Sequence, residues 1–560
     1  MGKLWKVFVR VVRSYTIEEK VISIIVAGIV VFVLAQSIVD FFKAPNVFTQ
    51  EGRSYSESVV SDRPVTINPL FADYTETNRD LAALVFSGLS KYDPAKKAFV
   101  DDMAVLTITP DRLTYHFVLK NDLKWHDGQP VTADDVFFTF HDLIQNAGFQ
   151  NPVLKVNFQG IEIKEVDQQT IEFKLKSPNA FFITNMNVGI LPKHILETVP
   201  VEQLPASSFN AKPVGTGPYK VDSPLEMLDD GRENLTLKIF EGYYGARPQI
   251  NQIRFNIYPD YESLVNAIGT ANIVSKLPTF SMQQVQAENR FSFLNYELPQ
   301  YTAVFFNVEQ PVMKKDKVRV GLLKALDKQA LLKLFNDKVA VDTPLLELDQ
   351  QEWIYQPNLK EAQGALYDAG YKLDKTRTDG IRIDSAAKPL KLSLLARWYD
   401  EGTPQAVETK QVTDFLKAQW LQLGVDVDVQ MVDSDTYLQR LQARDYDMVL
   451  AGQSLGYNLD TYSYWHSSQA NPNGLNLSNY KSFAADQLIE KIRDIFDSVE
   501  KDKKLKQLAK VLADDVPAVF LYRPVYNLAT DGKVKGLSLE NMDFPSDRFA
   551  HIESWCVICQ

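Results

Sequence analysis

Cysteine is nearly missing from this chain: two residues in 560, both close to the C-terminus. That excludes a disulfide-stapled scaffold and any four-cysteine metal module. A basic excess is missing too. Sixty Lys and Arg stand against 71 Asp and Glu, for a net charge of −11. A nucleic-acid partner would require a basic face, so none is expected. With 25 Gly and 27 Pro the chain is neither collagen-like nor of low complexity. No fixed-period repeat, His-Glu-x-x-His helix or phosphate loop occurs. What is present is ordinary globular material, 45% hydrophobic and 23% charged, with 11% aromatics for a large core or an aromatic-lined cleft. At roughly 150 residues each, the length suits three to four domains.

One long apolar run is present. Val21–Val39 carries no charge, and as a helix it would span about 28 Å, close to the thickness of a bilayer's hydrocarbon core. A buried soluble helix of that length would show a polar face, and only Ser23, Gln36 and Ser37 interrupt this one. Signal peptides have an apolar stretch of about 7–15 residues and a small-x-small cleavage site. This run is longer, and Ala35-Gln36-Ser37 is a weak match, so an uncleaved anchor is expected. Lys3, Lys6, Arg10, Arg13 and Lys20 precede it, against Glu18 and Glu19. The positive-inside rule then makes 1–20 a cytoplasmic tail and 21–39 a single membrane span. The bulk would lie outside the cytoplasm, at the cell surface or in a periplasm. Residues 40–60 read as a linker.

Strands and helices alternate beyond it. Tyr115, Phe117 and Leu119 alternate with polar residues as a half-buried strand does. A turn at Trp125-His126-Asp127-Gly128-Gln129-Pro130 follows, and Thr132 with Asp135 forms a variant capping box for the next helix. Ile161 and Ile163, then Ile171, Phe173 and Leu175, make a hairpin around Asp167-Gln168. Later the pattern becomes strand–helix–strand. Leu390, Leu392 and Leu394 precede a helix over about 405–423, which Gly424 ends, and Val425, Val427, Val429 and Met431 follow. Such a unit implies a parallel pair with a right-handed crossover. A short helix over 437–444 leads to a strand over 446–451. Ligands of open α/β sheets sit beyond the strands' carboxyl ends, here Arg397-Trp398-Tyr399 and Gly452-Gln453-Ser454.

Catalytic chemistry is thinly represented. Gly452-Gln453-Ser454-Leu455-Gly456 matches Gly-x-Ser-x-Gly, but a nucleophile elbow requires a helix directly after the serine, and Gly456-Tyr457-Asn458 reads as a loop. His126 lies in the Asp-Gly turn and reads as structural; His116 and His141 read as surface groups. Gly215-Thr216-Gly217-Pro218-Tyr219 lacks the donors of a phosphate cradle and reads as a turn into a strand. Cys556 and Cys559 have redox-motif spacing without the helix that would activate a thiol, so a terminal disulfide is expected rather than a redox or metal site. Asp433, Asp435, Asp445, Asp447 and Asp460 read as a solvated face.

An ordered series of segments resembles a family, the extracytoplasmic solute-binding proteins of ABC importers, of the dipeptide/oligopeptide-binding type. Ile67-Asn68-Pro69-Leu70 is similar to its opening segment. Tyr115–Leu119 with Trp125–Val136 is very similar to its most specific signature, and Pro213–Tyr219 to its Gly-Thr-Gly-Pro-Tyr turn. Tyr243-Tyr244-Gly245 with Arg247-Pro248, Phe306-Asn307 with Val318-Arg319 and Ala325-Leu326-Asp327, the stretch from Asn476 to Asp486, and Asp515-Val516-Pro517 continue the series. The resemblance implies an α/β, two-lobed periplasmic-binding-protein fold with an extra subdomain in lobe I. Lobe I would take 61–78, 213–292 and 517–560, the subdomain 79–212, and lobe II 293–516. The chain would cross between lobes near Leu294–Tyr301 and Pro517–Arg523.

The resemblance further implies a monomeric, non-enzymatic protein without cofactor or metal. It would capture a peptide or other small solute between its lobes by hinge closure and deliver it to an ABC permease with its ATPase subunits. The ligand contacts it points to are Asp73, Tyr74 and Thr75 after the opening motif, Phe305 beside the hinge strand, Gly452, Gln453 and Ser454, and Trp398 at the neighbouring strand end. There is a departure. Peptide-binding members carry a tryptophan where Gln453 stands, and soon after it an Asp that pairs with the ligand's α-ammonium. Here Gly456 falls at that place, with Asp460 four residues on. Without a carboxylate there, a sugar, a metal chelate or an internally bound peptide is the alternative ligand, and an anchored sensor or envelope chaperone the alternative role. An anchored hydrolase would have only Ser454 to offer.

Overall fold

The structure, a computed structural model, describes residue 16 and residues 53–560 other than 62, 229, 230, 288, 336, 375, 376, 402, 458, 558 and 560. The side chains of Tyr74, Thr270, Thr279, Phe280 and Gln283 are likewise outside the description. Packing separates Met1–Ser54 from Tyr55–Gln560, and the second unit carries the fold. The expected anchor over Val21–Val39, and the tail before it apart from Thr16, lie outside the described residues. Among the described residues no helix is long and apolar enough to cross a membrane.

The second unit enters through β1 (Ser54–Val60) and helix α1 (Glu76–Val85). A hairpin follows, β2 (Ser90–Asp93) with β3 (Ala98–Asp101). Then come β4 (Ala104–Ile108), β5 (Thr114–Leu119), helix α2 (Ala133–Phe137), β6 (Glu162–Asp167) and β7 (Thr170–Lys174). These four strands form an antiparallel sheet in the order β4-β5-β7-β6. Tyr115, Phe117 and Leu119 are buried on its inner face, as their alternation requires. The next strands are β8 (Tyr219–Met227), β9 (Glu233–Ile239), β10 (Gln252–Tyr258), β11 (Ile273–Leu277) and β12 (Ser292–Glu297). After them come β13 (Gln300–Phe306), β14 (Lys338–Ala340), and the short pair β15 (Lys372–Leu373) and β16 (Arg382–Ile383). Last are β17 (Lys391–Arg397), helix α3 (Pro404–Gln422), β18 (Asp426–Val432), helix α4 (Ser434–Ala443), β19 (Met448–Ser454), helices α5 (Phe483–Arg493) and α6 (Ser498–Asp515), and β20 (Ala518–Thr530).

One twelve-stranded sheet runs β18-β17-β19-β13-β20-β11-β1-β10-β9-β8, with β12 and β14 also paired to β20. Its two halves are the two lobes, and β20 belongs to both. The start of β20 pairs with β13 and its end with β12, in register from Glu297↔Val525 to Ser292↔Thr530. The second crossing is the step from β12 to β13. Each crossing carries a proline, Pro299 and Pro524, which cannot donate to a ladder and so marks where the halves part. β17 lies parallel to both β18 and β19, and Gly424 ends the intervening turn at φ +86°, as the strand–helix–strand reading requires.

Two expectations need correction. Residues 54–60, read as linker, form β1, paired in parallel with β11. Tyr55, Glu57 and Val59 are its buried side. The pattern was hidden because the middle position is an acid: Arg548, itself buried, pairs Glu57 at 2.6 Å and Asp80 at 2.5 Å. Helix α1 straddles the boundary expected at residue 78, and it packs on β8 and the 545–549 turn, which are first-lobe elements.

The segments that carry the resemblance are joined physically. His126 accepts the Gly215 N–H at 3.2 Å on Nδ1 and bonds the Gly217 carbonyl at 3.1 Å through Nε2, and its own N–H donates to Gly215 O at 2.9 Å. Gly215 and Gly217 press against the end of α1: a Cβ on Gly215 would lie 2.0 Å from the Val85 carbonyl oxygen, and one on Gly217 2.5 Å from that of Leu84. His126 is therefore a strut, as its place in the turn suggested.

Candidate functional site

A cavity of about 810 Å³ lies between the lobes, at the carboxyl ends of β17 and β19. Its wall from the first lobe includes Asp73, Arg79 and Phe544; from the second, Arg397, Tyr399 and residues 452–455. This is the place that the open-sheet rule predicts.

The phase of β19 determines what it offers. Asn307 N–H donates to Asp447 O at 2.9 Å, and Leu455 N–H to Pro299 O at 2.8 Å. Odd-numbered residues of β19 thus turn their peptide groups toward β13, and even-numbered ones turn away. On that far edge β17 pairs only as far as Leu395↔Val449. Beyond it, the Leu450 carbonyl accepts from Tyr437 Oη at 2.9 Å and the Ser454 carbonyl from Tyr464 Oη at 2.7 Å. Between these two capped carbonyls lies Gly452, whose N–H and C=O face the same edge. A Cβ there would meet nothing nearer than 3.7 Å. The result is an open backbone slot one residue long, of the kind an extended chain can pair with.

Of the other expected contacts, Asp73 lines the cavity and forms an ion pair with Arg79. Ser454 lines it, and the loop after it confirms that no helix follows directly. Gln453 also lines it, but its amide is engaged inside the lobe, accepting from Tyr301 Oη and donating to Leu475 O at 3.4 Å. Asp460 reaches the wall but is buried and ion-paired with Arg493 at 3.0 Å, and its carboxyl accepts the Tyr462 N–H at 3.0 Å. Burial pushes its pKa up while Arg493 pulls it down. It belongs to no solvated face.

Three expected contacts do not reach the cavity. Thr75 caps α1, accepting the Asn78 N–H at 3.1 Å. Phe305 is a core residue, 1% exposed, against Trp465 at 6.0 Å. Trp398 is half-exposed and outside the wall, which its neighbours Arg397 and Tyr399 line instead; successive side chains of an extended segment point to opposite sides. The side chain of Tyr74 lies outside the description.

The strand-end rule includes Arg397, although Trp398 is the residue singled out there; sequence reasoning missed Glu408 and the Tyr457–Phe544 contact. Glu408 accepts from Tyr522 Oη at 2.7 Å and pairs with Lys338 at 2.9 Å. Tyr457, from the loop after β19, sits among Phe544, Tyr92 and Phe99 at 4.8, 5.1 and 5.3 Å and donates to Asp547. A Cβ on Gly456 would strike the Phe544 ring at 2.1 Å. At another point Ala180 N–H donates to Arg493 O at 2.7 Å, and Lys501 Nζ lies 4.5 Å from the Phe181 ring. Second-lobe elements thus touch the rest of the unit at two separate places, and the lobes are closed over the cavity. Cys556 and Cys559 form the expected disulfide. Among the described residues no group of three metal-ligating side chains occurs.

Two lobes on a double crossing, closed over a cavity with a free strand edge, define a binding protein of the periplasmic type. The chain belongs to the bacterial extracellular solute-binding proteins, family 5, whose middle-region model matches residues 92–474. It is 26% identical over 514 residues to the oligopeptide-binding protein AppA of Bacillus subtilis, covering 88% of this chain and 89% of that protein. It is 27% identical over 467 residues to the dipeptide-binding protein of Escherichia coli, covering 77% and 81%. The structure of the Bacillus subtilis AppA in complex with a nonapeptide superposes with a TM-score of 0.74 at 24% identity, covering 91% of this chain and all of that one.

Proposed function

We propose that this chain is the membrane-anchored, extracytoplasmic peptide-binding component of an ABC importer. It captures an extended peptide in the interlobe cavity, closes by hinge motion at Pro299 and Pro524, and presents the closed form to a permease driven by ATPase subunits. The observation that carries the reading is the slot at Gly452: a main chain entering there finds an N–H and a C=O waiting, with Asp73, Gln453 and Ser454 around it. Peptide backbone is common to all sequences, so side chains of many kinds are accommodated in the rest of the cavity. The relatives named oligopeptide- and dipeptide-binding support the ligand class. Val21–Val39 supplies the anchor, with 1–20 cytoplasmic. The lobe boundaries follow the crossings, with 79–212 as the added subdomain apart from the part of α1 that packs on the first lobe. The protein acts as a monomer, without cofactor or metal, and leaves its ligand's bonds intact.

Mass spectrometry of small molecules released from the purified, denatured protein tests this. Peptides of assorted sequence are expected; one uniform glycan or chelate would overturn the peptide assignment.

A further inference from the structure

We propose that the cleft selects acidic solutes and is indifferent to the ligand's amine, so that it accepts peptides with a blocked N-terminus provided they present a carboxylate. The proposal rests on the cavity being the binding site.

The charges that line the cavity carry it. Three carboxylates reach the wall, Asp73, Glu408 and Asp460, and each is already paired within the chain. Asp73 has Arg79. Glu408 has Lys338 at 2.9 Å and the Tyr522 hydroxyl at 2.7 Å. Asp460 has Arg493 at 3.0 Å. An entering ammonium would have to share its carboxylate with a cation already in place, or displace it. The Lys338 side chain is only 6% exposed and the Asp460 side chain 8%, so these displacements would also leave a charge stranded away from water.

Arg397 is the opposite case. Arg397 lines the cavity, and its guanidinium lies 4.7 Å from the Tyr399 ring, itself part of the wall. Among the described residues no hydrogen bond or ion pair is made to it, and its Nε is buried without a partner. Counting each wall carboxylate with its partner leaves one positive charge over. A carboxylate can take two parallel N–H bonds from a guanidinium, and in a closed cleft those bonds are shielded from water and salt. The charge left over therefore favours an anion over a cation.

The test is calorimetric titration of the full chain with one acidic pentapeptide in three forms: unmodified, N-acetylated, and amidated at its carboxyl groups. Acetylation is expected to change the Kd by less than about threefold and amidation to weaken it by about tenfold or more. In Arg397→Gln the unmodified and amidated forms should bind alike. Tenfold weaker binding on acetylation, or no effect of amidation in the wild type, would overturn the proposal without touching the peptide reading. If no form of the peptide binds, the peptide reading falls. The proposal then rests on a hexuronic acid against its neutral hexose: preference for the acid upholds it, and equal or absent binding of the two overturns it.

Discussion

His126 sits in its turn as a neutral ring, because burial disfavours its charged form and lowers its pKa to about 4, against the pull of the Gly217 carbonyl. A depressed histidine contributes stability that is present above its unfolded value near 6.5 and is lost as pH falls toward 4. Asp543 and Asp547 act in the other direction. Burial raises Asp543 to about 7, helped by the neighbouring Asp547, and raises Asp547 to about 6 although the Tyr457 hydroxyl pulls it down. A carboxyl raised in the fold contributes stability that is present at low pH and lost as pH rises through 6 to 7. The melting temperature should therefore rise as pH is lowered from about 8 to about 5, since below 6 the two carboxyls outweigh the single opposing His126. Thermal melts at several pH values check this. Asp547→Asn should shrink the rise between about pH 7 and 5, and a wild-type melting temperature that drops across that interval would remove the carboxyl pair as its cause.

Elements show why some features were legible and others were not. The Trp-His-Asp-Gly segment and the Gly-Thr-Gly-Pro-Tyr turn are strong signals because each atom of their contact is constrained: a histidine with both nitrogens used, and two glycines against the carbonyls of α1. Gly215→Ala should cost about 1–3 kcal/mol of stability, since its methyl would meet backbone that cannot retreat; denaturant unfolding measures it, and an unchanged midpoint would deny the close packing. The slot at Gly452 was legible from the strand-end rule alone. Which residue of Arg397-Trp398-Tyr399 faces the cavity was not, because no periodicity survives at a strand's last residue, and Trp398 was singled out in place of its neighbours. β1 escaped notice because its central buried position is Glu57, neutralised by Arg548 from the far end of the chain. Gly452→Pro should remove the slot's N–H while leaving the ladder to β13 untouched. Peptide affinity should fall about tenfold with the melting temperature nearly unchanged. Retained affinity would mean that ligand backbone does not pair there.

At the scale of the whole molecule the closed form is a balance that the chain itself sets. Two proline-marked crossings allow the halves to swing, and Glu297 paired with Arg523 at 2.6 Å lies beside them. Against opening stands Tyr457, seated in an aromatic pocket of the opposite wall and donating to buried Asp547. None of this could be read from the sequence, since Tyr457, Tyr92 and Phe544 come from distant segments that meet only when the lobes close. Aromatic contacts worth about 0.5–1.5 kcal/mol each and a hydrogen bond of about 1 kcal/mol put the contact at about 2–4 kcal/mol, a thirtyfold to thousandfold bias toward closure. A ligand shifts such an equilibrium only by binding the closed form better, so weakening the latch must show in the apparent affinity whenever the open form predominates. Tyr457→Ala should enlarge the radius of gyration of the ligand-free protein in solution scattering and weaken peptide binding by at least about tenfold. Tyr457→Phe, which keeps the ring and loses only the bond to Asp547, should fall between. If both variants scatter and bind as the wild type does, closure is set at the crossings, and Tyr457 merely fills space.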